Sequence, residues 1–595
     1  MSEIKNDSSE QRMKKYFYRV SAKDFEALPG SPLAYWAPSA LFSIFSNNRS
    51  FNDVLEAREG LTTGSNQKHV RFHFEISRNN IGRGLKSRIE AKKSAKKWFP
   101  YNKGGEFRKW YGNDLFVVNW LDDGKELQET LHPSGERIWA HNFNLDYIFK
   151  PSVSWSDITT KGLSARLFPA GFLFDATGLS AFERNTIQES RFKVAAICNS
   201  KVGSYISPML NPTMHFKSGD FSEMPLASGA EKVDQSNILS AYNLSVADWD
   251  SYEISWDFAS LPLLHPDHHQ PTLTTTYQNL RFHWRSMTQE MQRLEEENNR
   301  IFIEAYGLQD ELTPEVPLRE ITLTCNPHYR YGGDKTEEEL EALLLADTMR
   351  EFISYAVGCM FGRYSLDKPG LILANQGDTL ADYLAQVPEP TFMPDKDNVI
   401  PMLDGDWFAN DIAERFRRFL RVTFGEEHYE ENLRFIEESL NVKGKRSYSL
   451  RDYFLSEFYT DHLKRYKKRP IYWLFSSPKG SFNALIYMHR YRPDTVSVVL
   501  NDYLREFRAK LLARKNHLEA LGISASASQA EKTKALKEVE KISKMIAEVD
   551  AYERDTLYPL ATQQLEIDLD DGVKANYPKF GAALKKIPGL EAKDD

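Results

Sequence analysis

The spacing of apolar and aromatic residues changes near the middle of this chain of 595 residues. Up to about Leu226, short aromatic and β-branched runs such as RFHFEI and LFVVNW alternate with Gly, Pro, Asn and Asp, a pattern typical of strands joined by turns. From Tyr277 to about Tyr306, apolar side chains recur at steps of three and four residues, which predicts a helix. The change of period therefore predicts an α+β protein, strand-rich first and mainly helical afterwards.

A chain of this length is expected to fold into several domains, since domains average roughly 150 residues. In chain order we predict a disordered lead at 1–15, a mixed strand-rich domain at 16–226, a linker and connecting helix at 227–313, a mainly helical domain at 314–500, and a helical hairpin with a tail at 501–595. The run PIYWLF predicts a strand inside the helical domain, and SRFKVAAICNSKVGSYISPML predicts a helix that Pro208 ends. Two apolar seams, Leu504 to Leu521 and Leu536 to Val549, flank GISASASQ and predict an antiparallel hairpin.

Composition excludes some classes of protein. Cys198, Cys325 and Cys359 are far apart and form no CxxC pair, so neither a disulfide framework nor a cysteine zinc site is indicated. No apolar run approaches the roughly 18 residues of a membrane span, and the first residues are polar where a signal peptide is apolar. We expect a soluble protein of the reducing cytoplasm.

Positive charge is concentrated in one segment of a chain whose formal net charge is −8. Between Arg78 and Lys109 there are eleven Lys and Arg against two Glu, a local excess of nine. The rings in or beside this segment are Trp98, Phe99, Tyr101, Phe107, Trp110 and Tyr111. Lys and Arg neutralise phosphates, so the segment predicts nucleic-acid binding if the cations and rings form one continuous face. The alternative is a solvated helix followed by an aromatic-rich turn.

The stretch 81–112 supplies the candidate DNA-binding residues of this hypothesis. Gly104 and Gly105 would allow the backbone to approach a ligand closely, and Arg108 and Lys109 would also reach base edges. The remaining candidate cations are Arg83, Lys86, Arg88, Lys92, Lys93, Lys96, Lys97 and Lys103.

Asn326-Pro327-His328-Tyr329 is similar to the (Asn/Asp)-Pro-Pro-(Tyr/Phe) loop of amino-methyltransferases. In such loops the Asn and a carbonyl accept the amino hydrogens of a flipped base on which the aromatic ring stacks. Here His328 replaces the second proline, and no strand followed by a Phe-x-Gly-x-Gly loop precedes the motif. A structural turn is the favoured interpretation, with a catalytic role for Asn326, Pro327 and Tyr329 as the alternative. Gly82-x-Gly84 leads into a lysine-rich segment and does not indicate a cofactor site.

Two further polar groups are interpreted as structural. His265, His268 and His269 lie in a Pro-containing turn without carboxylate or cysteine partners at ligand spacing. Asp568, Asp570 and Asp571 precede Gly572 but lack the spaced ligands of a calcium loop. The sequence therefore predicts no metal site.

Ten blocks of the chain, in family order, resemble the C-terminal half of PglX, the adenine-specific DNA methyltransferase family of BREX phage-defence systems. In the first part they are Leu28 to Trp36, Gly60 to Asn66, Lys97 to Gly112, Val153 to Asp175 and Cys198 to Leu226. In the second part they are Asp248 to Phe258, Asn326 to Gly332, Tyr355 to Gly370, Arg469 to Tyr491 and Ile567 to Tyr577.

The resemblance implies that residues 16–226 are a target-recognition domain followed by a family-specific helical domain. In such domains the GLTTGSN-type loop and the KGGEFRKWYG-type block lie near DNA, which agrees with the charge pattern. Carried over residue by residue, the DNA-proximal positions are Thr63, Asn66, Lys103, Arg108, Lys109, Trp110 and Tyr111, with Trp155, Ser156 and Arg166 in addition.

The resemblance also implies that the S-adenosylmethionine site and the catalytic loop belong to a methyltransferase half outside this chain, whether the chain is a fragment or a split-gene product. We therefore expect no cofactor and no catalytic residue here. The expected function is DNA recognition and partner docking within a restriction-modification and phage-defence methyltransferase that acts on adenine N6. The expected partners are double-stranded DNA, the catalytic half and other BREX proteins. The alternatives are a self-contained methyltransferase that uses Asn326 to Tyr329, and an assembly scaffold that does not bind DNA.

Overall fold

The computed structural model describes residues 39–159, 161–184 and 190–590. The expected lead at 1–15 and the block from Leu28 to Trp36 lie outside the described residues. The chain forms two compact units, each assembled from three stretches. Within the described residues, unit 1 comprises 39–70, 81–249 and 284–332, and unit 2 comprises 71–80, 250–283 and 333–590. The domain boundaries expected at 226, 313 and 500 stay predictions.

The strands of the described residues are short. They are β1 (Arg49–Ser50), β2 (Leu55–Arg58), β3 (Val70–Phe72), β4 (Trp98–Asn102), β5 (Phe116–Asn119), β6 (Ser152–Trp155), β7 (Ala165–Phe168), β8 (Leu173–Phe174), β9 (Ser180–Glu183), β10 (Pro225–Leu226), β11 (Ile400–Pro401), β12 (Tyr472–Ser476) and β13 (Asn483–Tyr487).

Two sheets organise unit 1. One is antiparallel with the order β2-β9-β6-β7. In the other, β4 pairs antiparallel with β5 and parallel with β8. All five residues of β4 are buried, so this strand is covered on both faces. The hydrophobic core around it contains Leu61, Ala91, Phe99, Tyr101, Val118, Trp120, Leu127, Ala140, Ile148, Phe149, Leu173, Phe174 and Phe182.

Helices surround the sheets of unit 1. They are α1 (Ser39–Asn47), α2 (Asn66–His69), α3 (Arg88–Lys93), α4 (Leu121–Glu129), α5 (Ser190–Cys198), α6 (Lys201–Leu210), α7 (Ser218–Ser222), α8 (Gln235–Trp249), α9 (Leu273–Ala305) and α10 (Pro327–Tyr331). The first part of α9, up to His283, counts with unit 2. The helix predicted from Tyr277 to Tyr306 is therefore confirmed as α9.

The single helix predicted before residue 210 is wrong in detail, because the segment forms α5 and α6. Ser200 has extended backbone angles, and its hydroxyl accepts a hydrogen bond from the Gly203 N–H, so it caps a new helix. Pro208 does not end the run, since α6 continues to Leu210 with Pro208 inside its last turn.

Unit 2 is mainly helical. Its helices are α11 (Glu337–Met360), α12 (Leu380–Gln386), α13 (Ile412–Phe424), α14 (Tyr429–Leu440), α15 (Leu450–Tyr453), α16 (Tyr459–Arg465), α17 (Thr495–Val498), α18 (Arg505–Ile523), α19 (Gln529–Tyr552), α20 (Tyr558–Gln563) and α21 (Val573–Asn576). A small antiparallel sheet has the order β11-β13-β12, and β12 confirms the strand predicted in PIYWLF. The combination of helices and mixed sheets confirms the α+β class.

The helices α18 and α19 form the predicted antiparallel hairpin. Arg514 pairs with Glu538 and Arg508 with Asp550, which fixes opposite chain directions. The seam buries Phe507, Leu511, Leu518, Ala535, Ile542 and Val549. Leu536, predicted to lie in the seam, is instead 58% exposed.

Among residues 39–159, 161–184 and 190–590, none of the helices combines the length and apolar character that a membrane span requires.

Candidate nucleic-acid interface

The basic helix, α3 (Arg88–Lys93), carries exposed cations on the surface of unit 1. The Ser87 hydroxyl caps it by accepting a hydrogen bond from the Glu90 N–H at 3.2 Å. Glu90 in turn accepts from the Lys86 N–H at 2.8 Å, so the one acid of the helix is directed to the main chain. Lys92 and Lys93 are exposed. Only Ala91 faces the core.

The other cations of this part differ in their surroundings. Arg88 is bound to Asp123 at the start of α4 by two hydrogen bonds of 2.6 and 2.9 Å. Arg83 and Lys86 are exposed, whereas Lys96 and Lys97 are half-buried. The Lys97 ammonium lies 5.4 Å from the ring centre of Trp98.

The aromatic residues that follow are core residues. Trp98, Phe99 and Tyr101 are at most 1% exposed, as is Trp110. The expectation of one continuous basic and aromatic face is therefore wrong, because β4 is an interior strand that needs large side chains to fill the core on both of its faces. Along the chain, the five residues of β4, which span about 17 Å, stand between the basic helix and the next basic loop.

The loop Lys103–Gly105 follows β4 and lies beside Asn66, the first residue of α2. The Lys103 ammonium is 2.7 Å from the Asp175 carboxylate and 3.4 Å from the Asn66 side-chain oxygen. The Thr63 hydroxyl donates to the same Asn66 oxygen at 2.9 Å, and Thr63 itself is buried. Of these residues, Asn66 is the exposed one.

The charge of Lys103 is balanced by Asp175. Burial opposes ionisation of Asp175, but the Lys103 ammonium and hydrogen bonds from Thr177 and Tyr101 outweigh it and lower the pKa of Asp175. Burial and the negative charge of Asp175 raise the pKa of Tyr101. At neutral pH the site is therefore an ion pair with a neutral tyrosine donor.

Arg108 and Lys109 point into unit 1. Arg108 is 3% exposed and its guanidinium is 2.8 Å from the Asp248 carboxylate. The Lys109 ammonium is 2.7 Å from one oxygen of Glu295 on α9, and the Trp110 indole N–H donates to the other at 2.9 Å. These contacts satisfy the polar groups of all three residues within the interior, which is how buried charges are held in proteins.

The remaining candidates fall into two environments. Trp155 is buried, stacks on Phe221 at 3.9 Å between ring centres, and donates to the Phe216 carbonyl. Tyr111 is half-buried and packs edge-on against Tyr242. Ser156 is half-buried at the surface, next to the exposed Gly105. Arg166 lies beneath Ser156 and is fully buried.

The Asn326 motif caps α10. The Asn326 side chain donates to the carbonyls of Leu318 and Ile321 and accepts from the His328 N–H. The Tyr329 hydroxyl donates to the Phe107 carbonyl at 2.7 Å. Asn326 is 1% exposed, so its amide is already used by the main chain in the way an N-cap uses it.

The histidine and aspartate turns lie in unit 2. His269 stacks on Phe424 and hydrogen-bonds the Thr423 carbonyl. Burial and the nearby His283 and His265 lower the pKa of His268. Asp568 caps a short turn by accepting from the Asp570 N–H. Over the described parts of the chain, no group of His, Cys, Asp and Glu has the arrangement of a metal site.

The acids that neutralise the buried cations are Asp175, Asp248 and Glu295, which sequence reasoning did not assign. Asp175 ends one of the blocks that resemble the family and Asp248 begins another, which only weakly indicates that they have a role at the site. Glu295 is one of three consecutive glutamates in α9, and only its position on the inner face of that helix distinguishes it.

Comparison with known proteins gives two curated relatives, while no family model matches the chain. An adenine-specific methyltransferase BrxX of Escherichia coli O9:H4 (strain HS) is 35% identical over 587 residues, which is 96% of this chain and 46% of the relative. An adenine-specific methyltransferase PglX of Lacticaseibacillus casei (strain Zhang) is 36% identical over 585 residues, which is 97% of this chain and 46% of the relative. The chain thus spans about half the length of the curated relatives it matches. Along nearly all of its own length it is similar to a segment of two adenine-specific methyltransferases, BrxX and PglX.

Proposed function

We propose that unit 1 binds double-stranded DNA as the recognition part of an adenine-specific methyltransferase of the BREX type, which marks the adenines of its host's DNA in phage defence. The similarity to BrxX and PglX supports the methyltransferase setting. The observation that carries the DNA-binding role is the basic helix with exposed Lys92 and Lys93, together with exposed Lys86 just before it.

Lys86, Lys92 and Lys93 are exposed, and none of them forms an ion pair with any residue that the structure describes. Such cations bind phosphates without first breaking an internal contact. Phosphate contacts release condensed counterions from DNA, which makes binding strongly salt-dependent. The overall charge of −8 matters less, because charges farther away than about 8–10 Å are screened at physiological salt.

The basic helix positions DNA and does not read its sequence. Its six residues span only about 9 Å, too short to present several side chains along a major groove. Contacts to phosphates fix register and orientation, whereas base-edge contacts specify sequence. We assign sequence reading to the neighbouring loops, where Asn66 and Lys103 lie together and offer both hydrogen-bond donors and acceptors.

We further propose that S-adenosylmethionine and the catalytic loop belong to another part of the methyltransferase. The amide of Asn326 is engaged by main-chain groups, which removes support from a self-contained enzyme built on that motif. Calorimetry of the chain with S-adenosylmethionine tests this point. We expect no heat of binding, and a measurable affinity that Asn326→Ala abolishes would contradict it.

Unit 2 is proposed to dock the catalytic part or other BREX proteins. Ile523 at the tip of the hairpin is 86% exposed, and Leu536 on the facing helix is 58% exposed. Exposed apolar groups at the end of a rigid hairpin favour a protein partner.

Gel shifts of duplex DNA over a salt series test DNA binding. Wild-type protein is expected to bind at low salt and to weaken linearly in a plot of log affinity against log salt. Lys92→Ala with Lys93→Ala should lower the slope by about two, since each phosphate contact contributes about 0.9. Charge reversal of both lysines to glutamate should abolish binding at physiological salt.

Lys534→Glu with Lys537→Glu is the matched control. It changes the net charge by the same amount on exposed lysines of unit 2 and should leave most of the affinity intact. If wild-type protein fails to shift duplex DNA at low salt, or if the control pair loses as much affinity as the basic helix, the proposed function is wrong.

A further inference from the structure

Arg166 is a fully buried cation that forms no ion pair with any carboxylate among the described residues. It lies in β7, and its guanidinium contacts the Ser156 hydroxyl at 3.2 Å and the Arg108 carbonyl at 3.4 Å. Its Nε has no hydrogen-bond partner. None of the carboxylates that the structure describes forms an ion pair with it, whereas Lys103, Arg108 and Lys109 each have one.

A buried charge without a counter-ion is unfavourable, so its retention calls for a reason. Burial lowers the pKa of Arg166 to about 10, with smaller influences from Tyr329, Arg108 and Asp114. The guanidinium is therefore still protonated at neutral pH. Its positive charge lies directly below Ser156, where little water screens it.

Next to the Arg166 guanidinium lie the Ser156 hydroxyl and, bonded to it, the main chain of Gly105. The Ser156 hydroxyl donates to the Gly105 carbonyl at 2.9 Å and accepts from the Gly105 N–H at 3.0 Å. Gly104 and Gly105 have φ values of +67° and +142°, and a Cβ on either would lie within 2.8 Å of the Thr177 carbonyl or the Asn113 side chain. The glycines are thus required, and at Gly105, which is exposed, a ligand can approach the main chain closely.

We propose that Ser156 and the loop Lys103–Gly105 form a phosphate subsite, and that Arg166 is its positioning residue, supplying positive charge through the Ser156 hydroxyl. When a phosphate arrives, the hydroxyl turns its hydrogen from the Gly105 carbonyl to a phosphate oxygen while still accepting from Arg166. The arriving anion adds a counter-charge closer than the more distant carboxylate of Asp114, which forms no ion pair with Arg166. The ligand chemistry is a phosphate oxyanion, and its assignment to a DNA phosphodiester rests on the proposed function.

The subsite differs in kind from the basic helix. There the cations lie in water and their effect is screened by salt within about a Debye length. At Ser156 a single charge acts from the interior, so it orients one phosphate relative to Asn66 and Lys103. Such a contact would fix which bases the loops face.

Three variants test the proposal in the full chain. Arg166→Met is expected to weaken duplex DNA binding about tenfold and to reduce the salt slope by about one, while Arg166→Lys keeps the charge and restores most of the affinity. Ser156→Ala leaves Arg166 in place and should give an intermediate loss. Thermal unfolding of each variant without DNA shows whether the fold is kept; if Arg166→Met does not fold, Ser156→Ala decides.

Inorganic phosphate separates the sources of the ligand. We expect millimolar phosphate to compete with DNA for wild-type protein more strongly than chloride at equal ionic strength, and this excess competition to vanish in Ser156→Ala. Wild-type affinity and slope in folded Arg166→Met, or in Ser156→Ala, would overturn the subsite while leaving DNA binding by the basic helix untouched. If wild-type protein bound no DNA, the proposed function would fail, and stabilisation by phosphate that Ser156→Ala abolishes would still support the subsite.

Discussion

Two groups of cations, ten to twenty residues apart in the same basic segment, have opposite environments. Lys92 and Lys93 lie in solvent on the basic helix, whereas Arg108 and Lys109 are held in the interior by Asp248 and Glu295. The residue types and their density are alike in both groups. The difference shows that the availability of a cation to a ligand is decided by acids distant in the chain, here about 140 and 186 residues away.

The largest loss of stability is expected when an acid that pairs with a buried cation is removed. Asp248→Ala should lower the stability of unit 1 by about 3–5 kcal/mol, because a buried Arg108 guanidinium loses its partner. The N–H groups of Thr324 and Cys325 lose their acceptor as well. Urea unfolding followed by hydrogen exchange of the segment 103–112 measures the loss. Asp146→Ala, at an exposed position, is the control, and an equal loss in both would contradict the interior assignment.

A smaller effect is expected for Glu295→Gln. The amide oxygen can still accept from Trp110, but the charge opposite Lys109 is gone, which should destabilise unit 1 by about 1–3 kcal/mol. Glu304→Gln, an exposed change on the same helix, should be nearly neutral in the same unfolding measurement. If Glu295→Gln were equally neutral, Lys109 would not depend on its ion pair.

The dependence of stability on pH should distinguish Lys103, which pairs with Asp175, from the exposed lysines of the basic helix. Because the pKa of Asp175 is lowered in the folded protein, the carboxylate contributes stability above its unfolded pKa of about 4, and this contribution is lost as the pH falls through the folded value. Asp175→Asn should therefore cost about 1–2 kcal/mol at pH 7 and much less at pH 3. Urea midpoints at the two pH values check this. A cost that does not change with pH would show that the ion pair does not stabilise the fold.

The smallest effect on stability is expected at the exposed side. Lys92→Ala with Lys93→Ala should change the free energy of unfolding by no more than about 0.5 kcal/mol, since neither side chain forms an ion pair with a residue of the described ranges. The urea midpoint of this double variant is compared with that of wild-type protein. A larger loss would show that Lys92 and Lys93 contribute to the stability of the fold as Arg108 and Lys109 do. It would contradict the difference drawn between the two groups.

Local sequence patterns predicted the helices and strands better than they predicted the burial and the partners of individual side chains. The spacing of apolar residues was sufficient for α9, for the hairpin of α18 and α19 and for β12, because side-chain periodicity follows directly from backbone geometry. It was not sufficient for the break at Ser200, where one hydroxyl caps a new helix within an otherwise helical run.

The candidate site was predictable as a segment but not residue by residue. The charge count located the segment 78–109, and the family resemblance pointed to Asn66 and Lys103, which the structure brings within 3.4 Å of each other. The burial of Arg108, Lys109 and Trp110 depends on two acids. These are Asp248 and Glu295, which are distant in the sequence and come into contact with them only in the folded chain. No local rule anticipates such pairings, and the unpaired state of Arg166 is equally invisible in the sequence.

The five buried residues of β4 lie, along the chain, between the basic helix and the Lys103–Gly105 loop. Successive residues of a strand face opposite sides, so an extra residue within β4 would exchange the two buried faces on which its rings pack. The length of β4 is therefore expected to change only in steps of two residues, each of about 7 Å, if each ring is to keep the face on which it packs.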